Sequence, residues 1–164
     1  MAKALAARAK KTAKKTAAKA VRPSAHGGGS LKGARKERRP LSENKLTHVV
    51  LSSSEAKGRL AFSTPANRKA IADILNDRSD QFGVTVESVE ARAGRLHIVL
   101  TFKNRLKFQG FLRTITALIA RRVTGAKKGN PFGRKFWDHI AFTRSIETAD
   151  GAVEEYEEAS TTSK

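Results

Sequence analysis

An α+β domain is predicted by four strand-like runs and two amphipathic stretches that alternate along the chain. The strand-like runs cover residues 46–54, 84–92, 95–102 and 135–146, and the helical stretches cover 64–83 and 104–125. Their order is β-α-β-β-α-β, the split βαβ or ferredoxin-like arrangement. In that fold both helices cover one face of the sheet and leave the other face open. A short acidic helix at 151–159 is predicted to follow the last strand.

Both long helices carry signals for their ends. Thr64 is a suitable N-cap for the first helix, Pro65 fits its first position, and Gly83 is a suitable stop. The second helix is predicted to end at Gly125. Its apolar residues form one stripe, which predicts the face that packs on the sheet: Phe108, Phe111, Leu112, Ile115, Leu118, Ile119 and Val123.

The two middle strands flank the dipeptide Ala-Gly and predict a β-hairpin. Side chains alternate between the two faces of a strand. In "RLHIVLTF" this rule sends Leu96, Ile98 and their apolar partners toward the helices. It sends Arg95 and His97 to the open face, together with Val99.

The outer strands extend the same pattern. On the first strand Val49 and Leu51 are predicted to face the core and His48 the open face. On the last strand the predicted inward residues are Phe136, Ile140 and Phe142, and the predicted outward ones are Trp137, His139 and Thr143. The first strand of this fold lies between the third and the fourth, so His48, His97 and His139 are expected on one face. They are candidate ligands of a divalent metal, or polar residues of a surface on which a histidine or Trp137 meets nucleic acid.

The charge of the chain indicates a polyanionic partner. The sequence has 33 Lys and Arg against 15 Asp and Glu, a net charge of +18. The window from Arg92 to Trp137 holds twelve Lys or Arg and no acid. Such segregated positive charge is typical of nucleic-acid-binding proteins. The residues expected to contact phosphates on the second helix and the following loop are Arg113, Arg121, Arg122, Lys127, Lys128, Arg134 and Lys135.

Composition divides the chain into three parts. Residues 1–44 are predicted to be a disordered Lys/Ala-rich arm with a Gly/Ser linker, 45–160 the folded domain and 161–164 a tail. The absence of cysteine excludes disulfides, thiolate metal sites and cysteine nucleophiles. No apolar run approaches the roughly 20 residues of a membrane helix. We therefore expect a cytoplasmic, nucleoid-associated protein without a membrane partner.

Several local patterns resemble the single-tyrosine HUH transposases of insertion sequences, including the REP-associated tyrosine transposases. "THVVLSS" is similar to the opening strand of that family, and "GRLHIVLTF" resembles its "NHVHLLL" strand. "FQGFLRTITALIARRVT" resembles its basic helix. "KFWDHIAFTRSIE" is similar to its "LWQRGYFDRVVR" segment and matches at Trp137, Phe142 and Arg144. The resemblance covers residues 46 to about 158.

The resemblance implies a protein that recognises DNA hairpins and cleaves beside them. In the family an H-x-H pair holds Mg or Mn, and a tyrosine on the C-terminal helix attacks the phosphodiester. The second histidine of the pair corresponds to His97, but the first corresponds to Arg95, which cannot ligate a cation. Tyr156 is the single tyrosine of the chain and the one candidate nucleophile.

Three functions remain open on the sequence alone. The first is a transposase-like protein that binds hairpin or single-stranded DNA, with strand cleavage impaired or lost. The second is an active metal-dependent nickase and strand transferase. The third is a structural component of a nucleoid or ribonucleoprotein. The resemblance also leaves a homodimer open, because the family contains both monomers and dimers.

Overall fold

The computed structural model describes residues 25–31, 39–150 and 152–162, so most of the predicted arm and the last two residues lie outside the described part. The strands are β1 (Ala25–His26), β2 (Thr47–Ser52), β3 (Val84–Ala91), β4 (Arg95–Phe102) and β5 (Phe142–Ser145). The helices are α1 (Pro65–Phe82), α2 (Arg105–Thr124) and α3 (Ala152–Thr162). The strands form one antiparallel sheet in the order β1-β5-β2-β4-β3. Without β1 this is the ferredoxin-like order, so the predicted fold class is confirmed.

The long helices begin and end where their capping residues predict. The Thr64 hydroxyl accepts from the backbone N–H of Asn67 at 3.3 Å, and Gly83 ends α1 in the left-handed region at φ 62°. The side chain of Asn104 caps α2 in the same way, and Gly125 ends it at φ 73°. A glycine takes this conformation without the Cβ clash of other residues. None of the described helices is long and apolar enough to cross a membrane.

One face of the sheet forms the hydrophobic core with α1 and α2. Val49 and Leu51 from β2 are buried there, as alternation predicts, together with Leu96 and Ile98 from β4. The largest fully buried side chains that join them are Phe62, Phe102, Phe108, Phe111, Ile71, Leu75, Leu100, Ile115 and Ile119. Six of the seven residues of the α2 stripe are therefore buried as predicted, whereas Leu118 is only partly buried and lies outside the core.

The second face of the sheet is covered by α3 where β2 and β4 run side by side. Residues His97 and Val99 are each only 1% exposed, and His48 is fully buried. The alternation that placed them opposite the core is correct, but their expected exposure to solvent is wrong. A periodicity of two shows which face a side chain takes and does not show what covers that face.

The predicted last strand is correct only in its second half. Residues 135–141 are irregular, and β5 begins at Phe142. The pairing of Val50 with Phe142 places Phe142 on the α3 face and Thr143 on the core face, the reverse of the prediction. Ile140, predicted inward, is 55% exposed, whereas Phe136 is buried in the core as predicted. Alternation cannot be counted through a segment that is not extended.

The folded domain begins earlier than the predicted boundary at residue 44. β1 lies within the expected linker, where His26 pairs with Thr143 of β5. The next residue, Gly27, has φ 97°, and a Cβ there would stand 2.2 Å from the Ala141 carbonyl oxygen. Only glycine fits so close to the neighbouring backbone. Ala25 and His26, just before the glycines, therefore add an edge strand to the sheet.

Candidate functional site

A pair of buried histidines lies at the centre of the α3 face. His48 of β2 and His97 of β4 occupy neighbouring strands, and Val50 pairs with His97 in the ladder. His48 Nε2 lies 3.2 Å from His97 Nδ1, and the rings stack with centroids 5.4 Å apart and an interplanar angle of 22°. The two imidazoles are therefore hydrogen-bonded directly to each other.

Tyr156 of α3 packs its ring edge-on against both histidines. Its centroid lies 5.9 Å from that of His48 and 5.6 Å from that of His97. The Phe142 ring lies on its other side at 4.9 Å, and the Arg95 guanidinium is 5.9 Å from the ring centroid. The structure thus brings together three residues that the sequence analysis selected separately, namely Tyr156, His97 and Arg95.

Glu157 joins Arg95 to the histidine pair. One carboxylate oxygen of Glu157 forms an ion pair with Arg95 Nη1, and the other lies 3.2 Å from His97 Nε2. No pattern in the sequence assigns a role to Glu157, which is one of several acids in the predicted last helix. A contact between positions 95 and 157 depends on how α3 docks, and no local pattern encodes it.

Both imidazoles are held in the neutral form. Burial, with smaller contributions from nearby His97 and Arg144, lowers the pKa of His48 to about 3. The pKa of His97 is also lowered, mainly by burial, although the Glu157 carboxylate opposes that shift. A neutral imidazole has one N–H donor and one acceptor nitrogen. The position of the carboxylate favours the proton on His97 Nε2, so His48 Nε2–H donates to His97 Nδ1.

The residues present do not fit a divalent cation. Within the described ranges no group of three His, Cys, Asp or Glu side chains is arranged to hold a metal. Glu157 and His48 approach opposite nitrogens of His97, so the three share no common point in space. The third predicted ligand, His139, is exposed in the irregular segment before β5. At the place of the other family histidine, Arg95 supplies a fixed positive charge instead.

A cleft of about 560 Å³ opens beside these residues, and we call it the tyrosine cleft. Its charged and aromatic lining comprises Arg92, Arg95, Asp138, His139, Tyr156 and Glu157, and Ser52, Ser53 and Ser54 supply hydroxyls. Asp138 accepts hydrogen bonds from the backbone N–H and the hydroxyl of Ser54, both at 2.8 Å. The Ser53 and Ser54 hydroxyls donate to the Phe136 carbonyl and to Asp138, so the guanidinium groups of Arg92 and Arg95 are the donors that suit an anionic ligand such as a phosphate.

The predicted phosphate-contacting residues form an exposed basic surface on α2 and the loop after it. All seven of its members are exposed: Arg113, Arg121, Arg122, Lys127, Lys128, Arg134 and Lys135. Two shallow grooves of about 390 and 410 Å³ lie within this basic surface. Lys135 donates to the carbonyl of Asp138 at 3.0 Å, and Asp138 lines the tyrosine cleft. The basic surface therefore reaches the edge of that cleft.

Trp137 does not belong to the open face. Its indole stacks on Phe62 with centroids 5.7 Å apart, and its Nε1–H donates to the carbonyl of Thr116 on α2 at 3.1 Å. The expectation that Trp137 points to the open face of the sheet is wrong, because residue 137 lies in the irregular segment, where alternation does not apply. The basic surface has a different ring, Phe132, with the Arg134 guanidinium 5.1 Å from its centroid.

Comparison with known proteins supports the fold. No protein-family model matches the sequence, and no curated protein is significantly similar to it. A crystal structure from Deinococcus radiodurans R1, described as that of a candidate transposase, has a similar fold with a TM-score of 0.51. The match covers 78% of this chain and 97% of that chain at 14% sequence identity. The chain therefore has a transposase-like fold.

Proposed function

We propose that this protein binds hairpin or single-stranded DNA with a transposase-like domain and has an impaired or lost capacity to cleave it. The proposal combines the fold with the tyrosine cleft and the basic surface. DNA is the proposed ligand because the sequence resembles the transposase family and the fold is similar to that of the Deinococcus protein.

The main support for impaired or lost cleavage is the contact of Arg95 with Glu157. In the family a metal at the H-x-H pair polarises the scissile phosphate. Here a guanidinium takes the place of one ligand, and its charge is partly neutralised by the Glu157 carboxylate. The remaining imidazole, His97, is hydrogen-bonded to His48. Arg95 can attract a phosphate, but the residues around it lack the ligand set that would activate one.

The basic surface accounts for binding. Lys and Arg side chains neutralise phosphates without reading base sequence, and they dominate the affinity of most nucleic-acid-binding proteins. This surface reaches the tyrosine cleft. One DNA strand can therefore contact the exposed cations and place one of its phosphates in the cleft. Arg92 and Arg95 would receive that phosphate.

Retained strand cleavage is the second candidate function, and the position of Tyr156 favours it. The tyrosine lines the same cleft as Arg92 and Arg95, where an attacking oxygen would need to be. Arg95 would then supply the positive charge that the metal supplies in the family.

Fluorescence anisotropy with the full chain tests the proposal. We expect a labelled single-stranded hairpin to bind more tightly than an unpaired strand or a duplex of equal length. The comparator is a peptide of residues 1–21, which carries basic charge without the domain. Equal affinity of the peptide and the protein for the hairpin at physiological salt would overturn the proposal and favour a structural role for the arm.

A further inference from the structure

Three arginines border the α3 face, and each lies within ion-pair distance of one carboxylate of α3. Arg92 is also held by Glu90 of β3, whose Oε1 lies 2.7 Å from its Nε. Arg95 contacts Glu157, and Arg144 Nη2 lies 2.8 Å from Glu155 Oε2. At the third position Arg92 Nη2 lies 3.9 Å from Glu154 Oε1. We infer that Arg92, Arg95 and Arg144 form a second phosphate-binding surface, which the carboxylates of α3 occupy in the free protein. This inference rests on the proposed binding of DNA, and the ligand is the backbone of a single strand.

Arg95 and Arg144 belong to strands of the sheet, and Arg92 lies in the turn between β3 and β4. Arg144 pairs with His48 in the ladder between β5 and β2, and Arg95 begins β4. The backbone N–H of Arg92 donates to the carbonyl of Arg95 at 2.9 Å, which fixes the turn between them. The backbones of the three arginines are therefore fixed by the sheet and its hairpin turn, whereas Glu154, Glu155 and Glu157 are carried by a separate helix.

The ion pairs are exposed enough to exchange. The Glu154 and Glu155 side chains are 64% and 70% exposed, and that of Glu157 is 24% exposed. Exposed carboxylates such as those of Glu154 and Glu155 contribute little stability to an ion pair and are screened by salt, whereas the pair of Arg95 with Glu157 is partly buried. Phosphates of an incoming strand present the same charge and the same bidentate acceptors to a guanidinium as carboxylates do. Glu154, Glu155 and Glu157 of α3 thus occupy the sites of phosphates.

Arg144 gives independent support. Its side chain is 15% exposed, and its Nη2 also donates to the carbonyl of Ala152 at 2.9 Å. Its Nε–H is buried and has no hydrogen-bond partner among the described residues. A buried donor without an acceptor is unfavourable, and a phosphate oxygen would satisfy it. Arg144 does not line the tyrosine cleft, so it distinguishes this surface from that cleft.

Replacing the three carboxylates by amides tests the inference in the full chain. We expect the combined variant Glu154→Gln, Glu155→Gln and Glu157→Gln to bind a labelled oligothymidylate about tenfold more tightly, the scale of a few added phosphate contacts. The slope of log K against log salt should steepen by about two, since each phosphate contact on a single strand contributes roughly 0.7. The matched control removes three exposed acids elsewhere, with Asp73→Asn, Asp80→Asn and Glu87→Gln. In the background of the amide variant, Arg92→Gln with Arg144→Gln should remove the gain.

A measurement on the unmodified chain covers the case in which the amide variant fails to fold. The Nε–H resonance of Arg144, assigned by its loss in Arg144→Lys, should shift when oligothymidylate is added to arginine-labelled protein. An unchanged resonance at saturating DNA would overturn the inference, as would equal gains in the amide variant and its control. Those results would leave the proposed DNA binding intact. If neither the unmodified chain nor the amide variant bound any DNA, both proposals would fall.

Discussion

His48 and His97 face each other across β2 and β4 with Nε2 and Nδ1 3.2 Å apart, and neither ring is accessible to solvent. This relationship replaces the three-histidine site expected from the sequence. His48 and His97, which the sequence suggests as metal ligands, are a buried hydrogen-bonded pair. Tyr156 of α3 covers both rings.

The buried pair makes stability depend on pH. The pKa of His48 is about 3 in the folded protein and near 6.5 when the chain is unfolded. Between these values the unfolded chain binds the extra proton, so stability is greatest above pH 6.5 and falls as the pH is lowered toward 3. One such group gives a slope of about 1.4 kcal/mol per pH unit. Urea unfolding at a series of pH values should show a shallower slope for His48→Gln, but not for His139→Gln. Equal slopes in all three proteins would contradict the prediction.

Restoring the family motif should create a metal site. Arg95→His supplies the missing histidine beside His97 and releases Glu157 from its ion pair. We expect this variant to bind Mn²⁺ in calorimetric titrations, whereas the unmodified chain should not bind it above background. Arg92→His is the control, because it adds a histidine to the same hairpin outside the motif. Tight Mn²⁺ binding by the unmodified protein would show that His48 and His97 separate to accept a ligand.

The basic surface should contribute to affinity for any strand. Replacing Arg121 and Arg122 by Gln removes two exposed cations from the end of α2. Affinity for hairpin and unpaired DNA should fall alike, with a loss of about 1.4 to 2 in the salt slope. Arg68→Gln with Lys69→Gln removes the same charge from α1, and its effect should be clearly smaller. An equal loss in both pairs would mean that net charge, and not this surface, governs binding.

Trp137 should matter for stability and not for DNA. Trp137→Phe keeps a ring against Phe62 but removes the donor to the Thr116 carbonyl. We expect a loss of about 1 kcal/mol in the free energy of unfolding, the usual contribution of one hydrogen bond. The dissociation constant for the hairpin should stay within about twofold. A large loss of affinity for the hairpin in a stably folded variant would show that Trp137 takes part in DNA binding.

Periodicity was sufficient to predict the elements that carry a regular pattern. The caps at Thr64 and Gly83, the hairpin and the stripe of α2 lie where their residues indicate, because each depends on neighbours in the sequence. The faces of β2 and β4 were predicted for the same reason. The predicted face of Phe142 is wrong because the seven residues before it are irregular, which shifts the alternation by one position.

Less of the candidate site than of the fold could be predicted from the sequence. The family resemblance selected Arg95, His97 and Tyr156, and the structure brings these three side chains together. It did not predict that Glu157 would lie between Arg95 and His97, or that His48 would bond to His97 instead of joining a metal site. Both relationships depend on how α3 docks on the sheet, which is a long-range contact. The edge strand β1 was missed because a run of glycines resembles a linker.

Binding of hairpin DNA without cleavage, the function proposed for this domain, can be tested on two gels. The full chain is incubated with an end-labelled single-stranded hairpin and Mn²⁺, and each sample is divided between a native and a denaturing gel. We expect a retarded band on the native gel and no covalent adduct on the denaturing gel. A covalent protein–DNA adduct that disappears in Tyr156→Phe would contradict the proposal, because Tyr156 would then be an active nucleophile.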